Sequence, residues 1–215
     1  MLKYFIIIGL LGCISVNAQV VNKPVQISHY IFESFTKGKV RVKSGIISEQ
    51  LLNYNSITGE MIFDDNGKLL AIGNPEEVDT VFIRDRKFIP VKNKFYEVLT
   101  NTKAPLLLEF TCTIEEPSVS TGYGTSTPTT NAGSVKVLPG MAKAYEMKLP
   151  DDYKVTPVYT YWIYQEREFQ KVNTSKQLIQ LFPDKKDFIK NYVKKNNVSF
   201  SKREDIITLV QQVEQ

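Results

Sequence analysis

Alternation of apolar and polar positions dominates the chain between residues 37 and 114, and this period of two predicts β-strands. The clearest segment is 106–114, where every second residue is apolar and Cys112 falls on the apolar face. Two short segments, 60–64 and 68–72, flank Asp65-Asn66-Gly67, and Asn-Gly favours the positive φ angles of a type I′ hairpin turn. A second hairpin is predicted around Asp85-Arg86. These strands are expected to pair as an antiparallel sheet.

The period becomes helical after residue 173. Thr174 or Ser175 can cap a first short helix, and Pro183-Asp184 begins a second. Residues 201–204, Ser-Lys-Arg-Glu, match a capping box at the start of a third. The third helix places four apolar residues on one face: Ile206, Leu209, Val210 and Val213.

The two patterns together predict an α+β fold. A mainly antiparallel sheet, able to curl into a half-barrel, occupies residues 19–172, and a helical element over 173–215 packs on it. Residues 117–134 interrupt the β region: they carry no charge, and nine of the eighteen are Ser or Thr. Such a stretch is predicted to be a long mobile loop. It serves either partner contact or O-glycan attachment, or it is a tolerated surface insertion.

Residues 1–18 are predicted to be a signal peptide, with one early Lys, a short apolar run and small residues before Gln19. Cleavage is expected after Ala18. Lipoprotein processing at Cys13 is a less favoured alternative, because the apolar run continues beyond it. The protein is therefore expected to be exported to the periplasm, the outer membrane or the cell surface. No later stretch approaches the ~18 apolar residues that span a bilayer, although peripheral membrane contact stays open.

Composition excludes several kinds of site. The chain has a net charge of +4 and only one histidine, His29, near the predicted mature N-terminus. A zinc site built from several imidazoles is therefore ruled out, and His29 is expected to be an exposed or half-buried structural residue. No nucleotide-binding glycine loop follows a strand. Export argues against nucleic acid as a partner, and no cofactor is predicted.

An aromatic cluster is one candidate binding site. A period of two places Tyr159 and Tyr161 on one face of a strand and Trp162 and Tyr164 on the other. An exposed aromatic face could stack on a sugar or contact a protein, whereas a strand covered on both faces explains the cluster equally well. The four residues are Tyr159, Tyr161, Trp162 and Tyr164.

A basic stripe is the second candidate. Four cations share one face of a predicted strand and could contact the phosphate of a lipid headgroup or another polyanion. The alternative is a solvated edge strand, where Lys discourages aggregation. The stripe consists of Lys37, Lys39, Arg41 and Lys43.

Four adjacent acidic pairs leave a glycosidase-like hydrolase open, because such enzymes need only two carboxylates. Each pair falls at a predicted turn or strand end, where acidic residues are favoured for local hydrogen bonding alone. No catalytic residue can be chosen among them. The pairs are Asp64-Asp65, Glu76-Glu77, Glu115-Glu116 and Asp151-Asp152.

Several short stretches carry a resemblance: 52–55, 78–83, 86–88, 95–98, 167–169 and 181–187. With a leader ending Asn17-Ala18-Gln19, the chain resembles a loose group of exported α+β proteins of Bacteroidetes-type bacteria, a group without an assigned activity. The resemblance implies a Gram-negative envelope and carries over no catalytic residue. Asp79-Thr80-Val81 is similar to the O-glycosylation sequon of such bacteria, although it lies in a predicted strand. The leading expectation is a non-catalytic envelope protein that binds another protein or a surface glycan.

Overall fold

The computed structural model describes residues 29–115, 154–165 and 168–215. In these ranges ten strands form one antiparallel sheet in the order β10-β9-β8-β7-β6-β5-β1-β2-β3-β4. Three helices follow, so the predicted α+β class is confirmed. The strands are β1 Thr36–Val42, β2 Ile47–Asn55, β3 Glu60–Asp65, β4 Lys68–Ala71, β5 Val78–Ile83, β6 Arg86–Val91, β7 Lys94–Val98, β8 Leu106–Glu115, β9 Lys154–Gln165 and β10 Glu168–Lys171.

The sheet is open but strongly curled, in keeping with the twist of antiparallel strands. Strands β2 and β8 are separated by four others, yet Tyr54 Oη donates a hydrogen bond to the carbonyl oxygen of Phe110 over 3.2 Å. The amide of Phe95 in β7 likewise donates to the carbonyl of Gly59, between β2 and β3, over 2.9 Å. The concave face therefore encloses a core in which distant strands touch.

The hairpin predicted around Asn66-Gly67 is confirmed, with φ angles of 54° and 90° at these two residues. The second hairpin differs by one residue from the expectation. Ile83 pairs with Arg86, and the turn consists of Arg84, at φ 56°, and Asp85. Because neighbouring strand positions face opposite ways, this shift moves Arg86 out of the turn and onto the concave face.

The helices are α1 Ser175–Leu181, α2 Lys186–Asn196 and α3 Arg203–Val213. Thr174 caps α1, since its hydroxyl accepts from the amide of Gln177 over 3.2 Å. The four apolar residues predicted on one face of α3 are all buried, in the same cluster as the concave face of the sheet. Helix α3 therefore covers the sheet's core.

The capping box predicted at residues 201–204 is wrong. Helix α3 begins at Arg203 with Lys202 as its N-cap, and a lysine side chain has no acceptor for a helix amide; the Ser201 hydroxyl lies 2.7 Å from that of Ser199. The carboxylate of Asp205 accepts from the amide of Ser199 over 2.8 Å and thereby joins the incoming loop to the first turn.

Several sequence expectations lie outside the described residues: the signal peptide over 1–18, the loop over 117–134 and the acidic pair at 151–152. Within the described ranges, no helix is both long and apolar enough to cross a membrane.

Candidate functional site

A cavity of about 390 Å³ opens on the concave face of the sheet, between β8, β9, the segment before β1 and the start of α3. Its wall is mainly aromatic and aliphatic, with hydroxyl groups and two arginines among them. None of the described lining residues is acidic. They are Tyr30, Ile31, Ser56, Arg86, Leu108, Phe110, Thr111, Cys112, Val155, Pro157, Tyr159, Tyr161, Ser201 and Arg203.

A buried carboxylate holds the two arginines of this wall. Glu97 in β7 is only 1% exposed and accepts two hydrogen bonds from each guanidinium. Arg86 donates from Nε and Nη2 over 2.8 and 2.7 Å, and Arg203 from Nη1 and Nη2 over 2.8 and 2.6 Å. Such paired, charge-assisted bonds fix both position and orientation. The Arg86–Glu97–Arg203 triad therefore connects β6, β7 and α3 beside the cavity.

Three phenylalanine rings surround the guanidinium of Arg86. Its central carbon lies 5.0, 5.3 and 4.9 Å from the centroids of Phe32, Phe88 and Phe110. These distances are typical of cation–π attraction, which strengthens when water is excluded. Arg86 is thus held rigidly by aromatic faces and by Glu97.

Arg203 keeps its charge although it is half-buried. Burial opposes the charged form, but the hydrogen bonds and the negative charge of Glu97 outweigh this cost and raise the pKa of Arg203 above its usual value. By formal charge, the triad has two positive groups and one negative group.

Two members of the predicted aromatic cluster reach the cavity. Tyr159 is 46% exposed and stacks edge-on against Phe110, with ring centroids 5.7 Å apart, whereas Tyr161 is buried. Burial raises the pKa of Tyr161, so its phenol stays neutral. Both lie on the concave face because Tyr159 pairs with Phe110 and Tyr161 with Leu108.

The other two aromatic residues lie on the convex face. Trp162 Nε1 donates to Glu109 over 3.0 Å, and the same carboxylate forms an ion pair with Lys94 at 2.8 Å. Tyr164 packs against Phe169 at 4.8 Å between centroids. The four aromatic residues therefore do not form one platform, and only Tyr159 and Tyr161 belong to the cavity.

Cys112 lies on the apolar face of β8, as its position in the alternation predicts, but it is half-buried in the cavity wall. Burial raises the pKa of its thiol, with an opposing contribution from a hydrogen bond with Ser56. A protonated thiol is a weak nucleophile. Cys112 is thus a slow-reacting group in the wall.

The basic stripe follows the convex side of β1 only as far as Arg41, because β1 ends at Val42 and Lys43 lies in the turn after it. The four cations are not equivalent. Lys37 and Lys43 are exposed, whereas Lys39 lies 3.5 Å from Glu49 and Arg41 pairs with Asp79. Hydrogen bonds from Thr80 and Arg41 lower the pKa of Asp79. This pairing with acids reduces the net charge of the stripe.

The edge-strand interpretation of the stripe is wrong, because β1 lies between β2 and β5 and pairs with both.

His29 is more deeply buried than the sequence predicts. It is only 7% exposed, and burial lowers its pKa. Its carbonyl accepts from both the amide and the hydroxyl of Ser56, which hold the segment against the end of β2.

The two acidic pairs whose side chains the structure describes lie at the end of β3 and in a 3₁₀ turn. Asp64 accepts from the amide of Gly67 over 2.6 Å, and Asp65 accepts from the side chain of Asn66. Glu76 and Glu77 are exposed in the 3₁₀ turn Pro75–Glu77. The described residues contain no group of three or more His, Cys, Asp or Glu side chains arranged for a metal ion.

Sequence reasoning missed the triad, although the position of Glu97 in its strand indicates that this carboxylate needs a partner. In the alternation of β7, Glu97 shares the core-facing side with Phe95, and a charge in that position requires a partner. The sequence pattern instead predicts Arg86 in a turn and Arg203 in a capping box, and neither position indicates a partner for a buried carboxylate.

No protein-family model, curated protein or solved structure matches the chain.

Proposed function

We propose that this chain is a non-catalytic binding protein of the cell envelope and that it binds a surface glycan in the cavity. Its leader would export it to the periplasm, the outer membrane or the cell surface. The observation that carries the proposal is the composition of the cavity wall, which combines aromatic rings with polar groups.

A sugar ring has an apolar face and hydroxyl groups around its edge, and both find partners in this wall. Tyr159 and Phe110 offer ring surfaces. The hydroxyl of Ser201 can donate or accept a hydrogen bond, and that of Ser56, whose proton goes to the carbonyl oxygen of His29, can accept one. The volume of about 390 Å³ falls in the range of small-ligand sites, roughly 300–1,000 Å³.

Among the residues that the structure describes, the state of the buried carboxylates favours binding over glycoside hydrolysis. A glycosidase needs an acid and a second carboxylate free to reach the substrate. Glu97 is bound by two arginines, and Glu109 lies on the convex face with Lys94 and Trp162. Neither is free to transfer a proton to a ligand in the cavity.

A glycan microarray tests this proposal. The purified protein is applied to an array of bacterial and plant oligosaccharides together with two variants, Tyr159→Ala and Tyr164→Ala. These tyrosines are similarly exposed, at 46% and 37%, but lie on opposite faces of β9. We expect the wild type and Tyr164→Ala to bind the same glycans. Tyr159→Ala should bind about tenfold more weakly, because it loses a stacking surface.

Cys112 provides a second measurement at the cavity itself. Alkylation followed by peptide mass spectrometry reports its reactivity, and an array ligand bound in the cavity should slow this reaction. The proposal fails if no glycan binds, or if the two tyrosine variants lose binding equally.

A further inference from the structure

The triad beside the cavity contains one more positive than negative charge. Arg86 and Arg203 are 20% and 36% exposed in their side chains, whereas Glu97 is 1% exposed. Both cations line the cavity, while their shared carboxylate does not. The uncompensated charge is therefore directed to the space where a ligand would lie.

Hydrogen-bonding capacity accompanies this charge. A guanidinium has five N–H groups, and the bonds to Glu97 use two from each arginine. Three N–H groups on each guanidinium are left for other acceptors. An oxyanion in the cavity could accept from both arginines, in the paired geometry that favours carboxylate recognition by arginine.

The cations are also held in place before a ligand arrives. Phe32, Phe88 and Phe110 enclose Arg86, and Glu97 orients Arg203 at the start of α3. A site that does not have to be ordered on binding retains more of its interaction energy as affinity.

We propose that the ligand of this cavity carries one carboxylate, as a uronic acid residue does, and that Arg86 and Arg203 bind this group. A single negative charge would balance the triad, whereas a doubly charged phosphate would leave an excess of negative charge. The identification of the carboxylate as part of a sugar rests on the glycan-binding function proposed above. The carboxylate preference itself rests on the triad.

Three probes distinguish the preference for a carboxylate from the requirement for a sugar. p-Nitrophenyl β-D-glucuronide and p-nitrophenyl β-D-glucoside differ only in a carboxylate in place of a hydroxymethyl group, and benzoate is an aromatic carboxylate without a sugar. Dissociation constants are measured by ligand-observed NMR, and protection of Cys112 from alkylation locates the binding. We expect the glucuronide to bind about tenfold to a hundredfold more tightly than the glucoside, as for hydrogen bonds to charged groups.

Variants then test whether the arginines cause this preference. Arg203→Gln should abolish the difference between glucuronide and glucoside, and Arg203→Lys should retain only part of it because the paired donors are lost. Lys103→Gln removes one charge from an exposed residue outside the cavity wall and should keep the full preference. Circular dichroism verifies that each variant is folded. If Arg203→Gln does not fold, Arg203→Lys decides the test.

Each outcome has a definite meaning. Equal binding of the two glycosides would overturn the carboxylate proposal and leave glycan binding standing. Binding of benzoate alone, lost in the Arg203 variant, would support the carboxylate proposal and overturn glycan binding. A preference that is unchanged in the Arg203 variants, or the absence of binding by all three probes, would overturn the proposal.

Discussion

At the scale of single residues, Glu97 determines whether two cations can be held beside an apolar core. Its two oxygens accept four hydrogen bonds, two from Arg86 and two from Arg203. A buried ion pair contributes little net stability, but removal of one partner leaves the other charge uncompensated. The carboxylate of Glu97 is therefore required as long as the two arginines are present.

Replacement of Glu97 tests this dependence. Glu97→Gln should lower the free energy of unfolding by about 3–5 kcal/mol, because two partly buried guanidiniums lose their counter-charge. Urea denaturation measures this change. Glu49→Gln is the matched control, since Glu49 pairs with Lys39 on the surface, where both side chains are more than half exposed. It should cost less than about 1 kcal/mol. Equal losses in the two variants would contradict the role given to Glu97.

At the scale of elements, the predictions that are confirmed are ones that depend on neighbours along the chain. Asn66-Gly67 identifies its hairpin because few residues other than Gly and Asn adopt the required backbone angles. Thr174 identifies the start of α1, since its side chain bonds to an amide three residues later. The one-residue error at Arg86 arose because Arg84 adopts a positive φ angle, which is uncommon for that residue type.

The triad could not be predicted in the same way. Arg203 and Glu97 are 106 positions apart, and their contact depends on how α3 packs across the curled sheet. The alternation of β7 shows that Glu97 faces the core, but no local pattern shows which cations meet it. The cavity depends on the same packing, and so it too could not be predicted from the sequence.

Close packing of β1 against its neighbours imposes a condition on Gly38. A Cβ atom at this position would lie 2.5 Å from the carbonyl oxygen of Phe82 and 2.8 Å from a methyl carbon of Leu52. The carbonyl belongs to the backbone of β5 and cannot move without disturbing the pairing of β1 with β5. Glycine therefore allows the middle strands of the sheet to approach closely.

Gly38→Ala should therefore lower the free energy of unfolding by about 1–3 kcal/mol, as other insertions into packed sites do. Gly73→Ala is the control, because a Cβ atom there has no neighbour within 4 Å. That variant should change stability by less than about 1 kcal/mol. Thermal or urea denaturation distinguishes the two, and a Gly38→Ala protein as stable as the control would contradict the packing argument.

At the scale of the whole molecule, the helices and the sheet share one core. Leu209 and Val210 of α3 are fully buried in the same cluster as Phe88 and Leu108 of the sheet. Arg203 adds an ion pair between α3 and β7. Because the cavity wall takes residues from both parts, a ligand bound there would stabilise the sheet and the helices together.

Unfolding should accordingly be a single transition. Trp162, the only tryptophan of the chain, lies in β9 and reports on the sheet by fluorescence, while far-ultraviolet circular dichroism follows the helices. We expect the two signals to change at the same urea concentration, because α3 cannot leave without exposing the core of the sheet.

Leu209→Ala tests whether the helices and the sheet unfold together. The substitution removes buried apolar surface only from α3, and it should lower the free energy of unfolding by about 2–5 kcal/mol. If helices and sheet unfold as one unit, both signals shift together to lower urea concentration. If the helices were a separate appendage, the circular dichroism signal alone would shift, and the Trp162 transition would stay where it is in the wild type.

Phe188→Ala is the control. It changes a residue of α2 that is 40% exposed and should shift neither signal by more than a small amount. Coincident shifts in Leu209→Ala would mean that the cavity exists only in the fully folded chain, so that a ligand bound there should raise the urea midpoint of both signals together.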